Sequence, residues 1–235
     1  MHSRGNYSRP TSDLQMKKAF GFVLELLLLT VLLFAIAEGV HAELPNPPSD
    51  CFSRQNFCSS SQVTRDQEGR RVIRVTIFAK LDKSKYGQWQ ELKELYFDFA
   101  KWPDYASHSK NIDMIASEQR PSTDSRYFVE HYAKYYAKAP FPIGKMEVED
   151  LVSYHEIASP SPNGVLSVEF LERPDFTARK GLKFNRGELH LLQNDQNWNV
   201  VFINDVIPSI DILPKVAAPY IERSMMDIFH GMFDF

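Results

Sequence analysis

Residues 182–229 read LKFNRGELHLLQNDQNWNVVFINDVIPSIDILPKVAAPYIERSMMDIF, and the apolar period changes inside this stretch. Leu182–Leu192 and Trp198–Ile207 are dense in leucine, β-branched and aromatic side chains and flank Asn194-Asp195-Gln196-Asn197, residue types that favour a tight turn. Beyond Pro214 the apolar positions recur at helical spacing instead, with Val216, Ala217, Tyr220, Ile221, Met225 and Ile228 on one broad stripe. The pattern predicts a β-hairpin followed by a long amphipathic helix over Pro214–Phe229. Pro219 lies one turn into that helix, where it either kinks it or marks a later start.

Working towards the N-terminus, four more strands are expected at Asn111–Glu118, Arg126–Ala137, Lys145–Ile157 and Gly164–Glu172. Turn chemistry separates them at Arg120-Pro121-Ser122-Thr123-Asp124 and at Ser159-Pro160-Ser161-Pro162-Asn163-Gly164. An earlier strand, Val72–Ala79, carries Ile73, Val75, Ile77 and Ala79 on one face. Between it and the six later strands, Tyr86–Tyr105 has helical spacing at Trp89, Leu92, Leu95 or Tyr96, and Phe99, with a break near Lys101 imposed by Pro103. Consecutive strands joined by short turns pair most simply as an antiparallel meander, and a twisted sheet of this length has a concave face that needs a cover. The last helix is the natural lid, and close packing at its two ends would leave a space in the middle. The expected class is α+β, a curved antiparallel sheet wrapped around a long C-terminal helix.

Three stretches in this order carry a resemblance. They are Tyr96-Phe97-Asp98-Phe99-Ala100-Lys101-Trp102-Pro103-Asp104-Tyr105, then Ala139-Pro140-Phe141-Pro142-Ile143-Gly144 leading into a charged strand, then the helix opening at Pro214. Together they resemble the START-like (SRPBCC) superfamily, whose architecture is the helix-grip or Bet v 1-like fold, over roughly residues 70–233. The resemblance implies an apolar ligand, such as a lipid, sterol, quinone or polyketide, enclosed between sheet and helix. Where the lipid-transfer branch often carries Arg-Asp after its Pro-Phe-Pro, this chain has Lys145-Met146-Glu147.

Alternation along Tyr127–Tyr135 puts Tyr127, Val129, His131, Ala133 and Tyr135 on the inward face. His131 would then sit among apolar side chains, either holding a ligand's polar head or bonded to a neighbour in an ordinary core. Tyr154, Phe170, Phe184, Phe202, Tyr220, Met225 and Ile228 are core positions, and the resemblance implies that they line the cavity.

The beginning of the chain speaks to location. Residues 16–42 read MKKAFGFVLELLLLTVLLFAIAEGVHA, with a basic head at Lys17 and Lys18, an apolar run, and Val40-His41-Ala42 as a small-x-small cleavage site. The expected start is Met16, with cleavage after Ala42 and export, to the periplasm of a bacterium. The alternative is an inner-membrane anchor over residues 19–37, close to the roughly 20 residues a spanning helix needs. Glu25 opposes it, at a cost of about 3 kcal/mol in hydrocarbon. Residues 43–69 read as a Pro-rich linker in which Cys51 and Cys58, the only two cysteines, would close a small loop in an oxidising compartment, free thiols being the alternative. Residues 70–235 form the single domain.

Composition narrows the function further. The net charge is −3, and residues 1–42 carry four basic and three acidic side chains, so the remainder is about −4 and lacks the basic face that nucleic acid requires. The polar candidates for chemistry are His131, His155, Glu156, Glu169, His190 and Asp205, but there is no nucleophile elbow, zinc motif or phosphate loop. His155 and Glu156 are adjacent and would face opposite sides of a strand. The reading is an exported non-catalytic carrier of a hydrophobic small molecule or lipid, with no metal or cofactor and with a membrane surface as a candidate second partner; no pattern fixes an oligomeric state. The alternatives are an envelope scaffold with a filled interior, or a cyclase or hydrolase of the same fold.

Overall fold

A computed structural model describes residues 43–53, 56–66, 68–210 and 212–233. The export signal, the start at Met16 and the alternative anchor fall in residues 1–42, outside the described residues. The elements run β1 (Phe57–Arg65), β2 (Arg71–Asp82), the short helices α1 (Lys83–Tyr86), α2 (Trp89–Phe97) and α3 (Trp102–Ala106), then β3 (Ile112–Arg120), β4 (Val129–Lys138), β5 (Lys145–Glu156), β6 (Gly164–Glu172), β7 (Leu182–Gln193), β8 (Asn197–Pro208) and α4 (Pro214–Phe233). All eight strands lie in one sheet of order β1-β2-β8-β7-β6-β5-β4-β3, with every neighbouring pair antiparallel. The six later strands form the expected meander, and the N-terminal hairpin adds to its far side through β2 and β8.

β1 is a strand that the sequence pattern does not announce. Its segment, FCSSSQVTR, is mostly small and polar, yet it pairs continuously with β2 from Phe57↔Ala79 to Arg65↔Arg71. As an edge strand it needs few apolar side chains, which is why residues 43–69 read as a spacer. The break between α2 and α3 also differs from expectation. It falls at Asp98, followed by one 3-10 turn at Phe99–Lys101, and Pro103 opens α3 rather than ending a helix. In a first helical turn the missing N–H of proline costs nothing.

Inward side chains of the sheet meet α4 in the main core. Ile73, Val75, Ile77 and Ala79 join Val168, Phe170, Leu189, Leu191 and Phe202 against Ala217, Ala218, Met226, Ile228, Phe229, Met232 and Phe233. The helix runs four residues further than the sequence pattern indicates, and Val216, expected on its apolar stripe, is 45% exposed. Its C-terminal end is closely docked: Tyr86 Oη donates to the Phe233 carbonyl, and a Cβ placed on Gly231 would lie 1.9 Å from the Tyr105 carbonyl oxygen. Near its middle, Glu222 accepts from Ser59 Oγ (2.6 Å) and Ser61 Oγ (2.5 Å) of β1.

The outer face of the sheet has its own small apolar cluster, in which Cys51, Phe78 and Val201 are buried with Phe52, Leu192 and Ile203 beside them. A Cys51–Cys58 disulfide ties the segment before β1 onto this face. Among the described residues no helix is long and apolar enough to cross a membrane.

Substitutions at Gly231 and at the two cysteines test this packing. Gly231→Ala gains helix propensity but meets immovable backbone, so net destabilisation of about 1–3 kcal/mol is expected in denaturant unfolding. Cys51→Ser and Cys58→Ser should each cost about 2–3 kcal/mol, the chain-entropy value for so short a loop, and the double variant should cost no more than either.

Candidate functional site

Two adjoining cavities lie between the inner face of the sheet and α4. The larger, about 100 Å³, is walled by aromatic side chains, including Tyr96, Trp102, Tyr154, Phe170, Phe202 and Phe229. The smaller, about 80 Å³, lies towards the start of α4, between Tyr220, Ile221, Met146 and Val148. Tyr135, Asn185, Asn204, Met225 and Ile228 line both and form the partition between them. The aromatic wall is continuous: ring centroids are 5.4 Å apart for Tyr154 and Phe170, 5.8 Å for Phe170 and Phe202, and 5.0 Å for Phe202 and Phe229. Gly187 makes this possible, because a Cβ there would stand 2.3 Å from Phe170 Cζ.

One wall is polar. Asp150, 4% exposed, accepts from Arg179 Nε (2.9 Å) and from Asn185 Nδ2 (2.8 Å). Asn185 Oδ1 in turn accepts from Asn204 Nδ2 (2.8 Å), which also donates to the Arg186 carbonyl (3.0 Å). Burial pushes the Asp150 carboxyl upward against the opposing pull of Asn185 and Arg179. Arg179 also lies 3.3 Å from Glu172.

Of the residues expected to line a cavity, His131, Tyr135, Tyr154, Phe170, Phe202, Tyr220, Met225 and Ile228 do so. Val129 is in the main core and lines neither chamber. Tyr127 precedes β4 and sets its ring against His155, with centroids 5.5 Å apart. Phe184 is displaced because a register shift between Leu182 and Phe184 turns Asn185 inward and puts Phe184 under the Arg70 guanidinium, 3.9 Å away. The pattern did not single out Asp150, Asn185 or Asn204. Asn204 was legible in principle, since it falls in the same phase as Phe202, and Asp150 shares the phase of Tyr154.

His131 does not present itself as a head-group ligand. Its ring stacks on Phe99 at 3.9 Å, and Nε2 is 2.8 Å from Ser117 Oγ. Burial lowers its pKa from 6.5 to about 3, so it is neutral. The other polar candidates are distributed away from the cavities. His155 pairs with Glu169 (3.1 Å), which also accepts from Arg186 Nε (2.7 Å), while Arg74 grips Asp205 through two bonds of 2.8 and 2.7 Å. Strand pairing of Ser167 with His190 creates a chain that the linear sequence hides: Ser167 Oγ lies 2.9 Å from His190 Nδ1, and Glu188 Oε2 lies 2.9 Å from His190 Nε2. The hydrogen bond from His190 holds the Glu188 carboxyl below its ordinary value. The order is that of a hydrolytic triad, but His190 is fully buried and Ser167 is 4% exposed, on the opposite side of the sheet from both cavities. Among the described residues no cluster of His, Cys, Asp or Glu could hold a metal ion.

No protein-family model matches the sequence, and no curated protein matches it significantly. Solved structures resemble it in varying degree. The STAR-related lipid transfer protein of Xanthomonas axonopodis superposes with a TM-score of 0.50 at 16% identity, covering 74% of this chain and 97% of its own. The human StarD13 (DLC2) lipid transfer and protein localization domain gives 0.49 at 9% identity, with 88% and 95% covered, and human STARD10 gives 0.47 at 10%, with 83% of each chain covered. With the eight-stranded antiparallel sheet and the C-terminal helix, the chain has a START-like helix-grip fold.

The neutral His131 has a measurable consequence. The unfolded chain takes up a proton near pH 6.5 that the folded chain refuses until about pH 3, so stability falls as pH drops through that window. Replacing His131 by Phe removes this term, and the stability difference between wild type and variant should shift by about 3 kcal/mol from pH 7 to pH 4, at about 1.4 kcal/mol per pH unit. A difference that is constant across that range, by urea unfolding, would contradict neutral burial.

Proposed function

We propose that the chain is an exported, non-catalytic carrier that holds a hydrophobic small molecule, such as a lipid or quinone, between the sheet and α4, and exchanges it at a membrane surface. The observation that carries this reading is the pair of apolar chambers meeting at a shared partition in the middle of the helix-grip core. The neighbours named as lipid transfer domains support it by fold. The Cys51–Cys58 disulfide favours an oxidising compartment outside the cytosol.

Each chamber is smaller than the roughly 300 Å³ at which pockets for sizeable ligands begin, and together they reach only about 180 Å³, so loading requires the partition to move and α4 to yield outward as well. Its composition permits this. Met225 is half-buried and lines both chambers, Met114 lines the larger and Met146 the smaller, and unbranched thioethers repack at little cost. Swinging Met225 aside would join the two spaces along the helix. The same small volumes favour a second reading, an envelope scaffold whose interior is filled by its own side chains.

Organic extraction of the protein purified from bacteria, followed by mass spectrometry, separates the two. The carrier should release near-stoichiometric lipid or quinone, and Met225→Trp, which plugs the partition, should abolish that yield while the protein stays folded. An extract free of such molecules, together with no binding of added apolar probes, would establish the scaffold. Native mass spectrometry of the same material should show a mature chain beginning at Glu43 with the disulfide intact.

A further inference from the structure

A third and larger space lies just outside the two chambers. It is an open groove of about 570 Å³ at the β3 edge of the sheet, framed by α3, the turn into β3, and the ends of β4 and β5 that meet at Lys138 and Lys145. Met114 lines both this groove and the larger chamber, while Ile112 and Lys138 line both the groove and the smaller chamber. A single layer of side chains therefore separates groove from interior. Within that layer the unbranched thioether of Met114 is the part that repacks most cheaply.

The groove differs from the chambers in charge. Lys110, Lys138 and Lys145 line it, and the one carboxylate among its lining residues is Asp113, 3.8 Å from Lys145. Asp227 stands behind it, accepting from Ser109 Oγ and from Asn111 Nδ2 (2.9 Å). Three lysines thus face two carboxylates. Lys110 and Lys138 are exposed and have no ion-pair partner among the described residues. Lys138 and Lys145 also stand directly opposite each other in the β4–β5 register, an arrangement of like charges that costs stability and that a bridging anion relieves.

Space and charge are divided as they would be for an amphiphile lying across the wall. The chambers, about 100 and 80 Å³, suit a hydrocarbon chain and are too small for a solvated charged head as well, whereas the groove has both the volume and the cations. We infer that the ligand is a single-chain amphiphile with an anionic head, which stays outside in the lysine groove while its chain passes Met114 into the chambers. This rests on the carrier reading above and adds to it an entrance and a head-group chemistry. A fatty-acid carboxylate and an alkyl phosphate both meet the requirement.

The test is a chain-matched series of decanoate, decyl phosphate and 1-decanol, titrated at neutral pH into the delipidated protein. Binding is followed by calorimetry and by tryptophan fluorescence, to which Trp102 in the larger chamber reports. At least one anion should bind roughly tenfold more tightly than the alcohol at low salt, and that advantage should shrink severalfold at about 0.5 M salt. Whichever anion binds more tightly names the source of the head group. In the double variant Lys110→Gln, Lys138→Gln the advantage should fall to within about twofold, with the affinity for decanol retained. If that variant does not fold, the wild-type ranking and its salt dependence decide alone. Decanol binding as tightly as both anions, or an anion preference that persists in the folded double variant, overturns the groove as the head-group site and leaves the carrier standing. Failure of all three ligands to bind overturns the carrier reading itself.

Discussion

The antiparallel pairing of β2 with β8, from Ile73↔Val206 to Asp82↔Asn197, is the constraint on which the rest of the molecule depends. Without it the chain would be a local meander with a loose hairpin in front. With it, the N-terminal strands continue the sheet beyond its last member, and the combined surface is wide enough to wrap a 20-residue helix. The pairing brings together residues more than a hundred positions apart, so its loop-closure cost is offset only when the whole domain is in place. The α4 helix supplies that closure. Its middle is bonded to β1 through Glu222, and its end is docked on α3 through Gly231 and on Tyr86 through the Phe233 carbonyl.

The two faces of the sheet then solve different problems. Outside, His155, Glu169, Arg186, Arg74, Asp205, Glu188 and His190 are matched in pairs or chains, so each carboxylate has an arginine or a histidine bonded to it. The disulfide segment covers the apolar remainder of this face. Inside, the polar groups are few: His131 with Ser117 beside the larger chamber, and Asp150, Asn185 and Asn204 bonded in series. Serine, histidine and carboxylate in hydrogen-bond order are thus not by themselves a catalytic site: Ser167 and His190 are buried across the β6–β7 pair, and only the Glu188 end of the chain is partly exposed.

How much of this was readable in the chain depended on strand periodicity. From β3 to β8 the apolar and β-branched residues mark each strand within about three residues at either end, and the phase of β4 correctly turns His131 and Tyr135 inward. Two things defeat the period. β1 is an edge strand of serines whose pairing is specified by β2 rather than by its own side chains. In β7, apolar residues occupy both phases, and the irregularity between Leu182 and Phe184 moves Phe184 to one face and Asn185 to the other, so the inward residue is the less conspicuous one. Tyr127 fails for a different reason, since it precedes the strand and alternation has no hold on it.

The polar partition calls for an explanation beyond stability. Burying Asp150 with a partner guanidinium and two amides carries a desolvation penalty that the bonds among them do no more than offset, and apolar residues of similar volume commonly serve a core as well or better. The fold does not need the cluster to close, because the aromatic wall from Tyr96 to Phe229 and the aliphatic faces of β2 and β8 already form a continuous core around it. What the cluster adds is direction: its bonds run from Asn204 on β8 to Asn185 and the Arg186 carbonyl on β7 and on to Asp150 on β5, so they fix how three strands meet at one point, which apolar side chains of the same volume would not do.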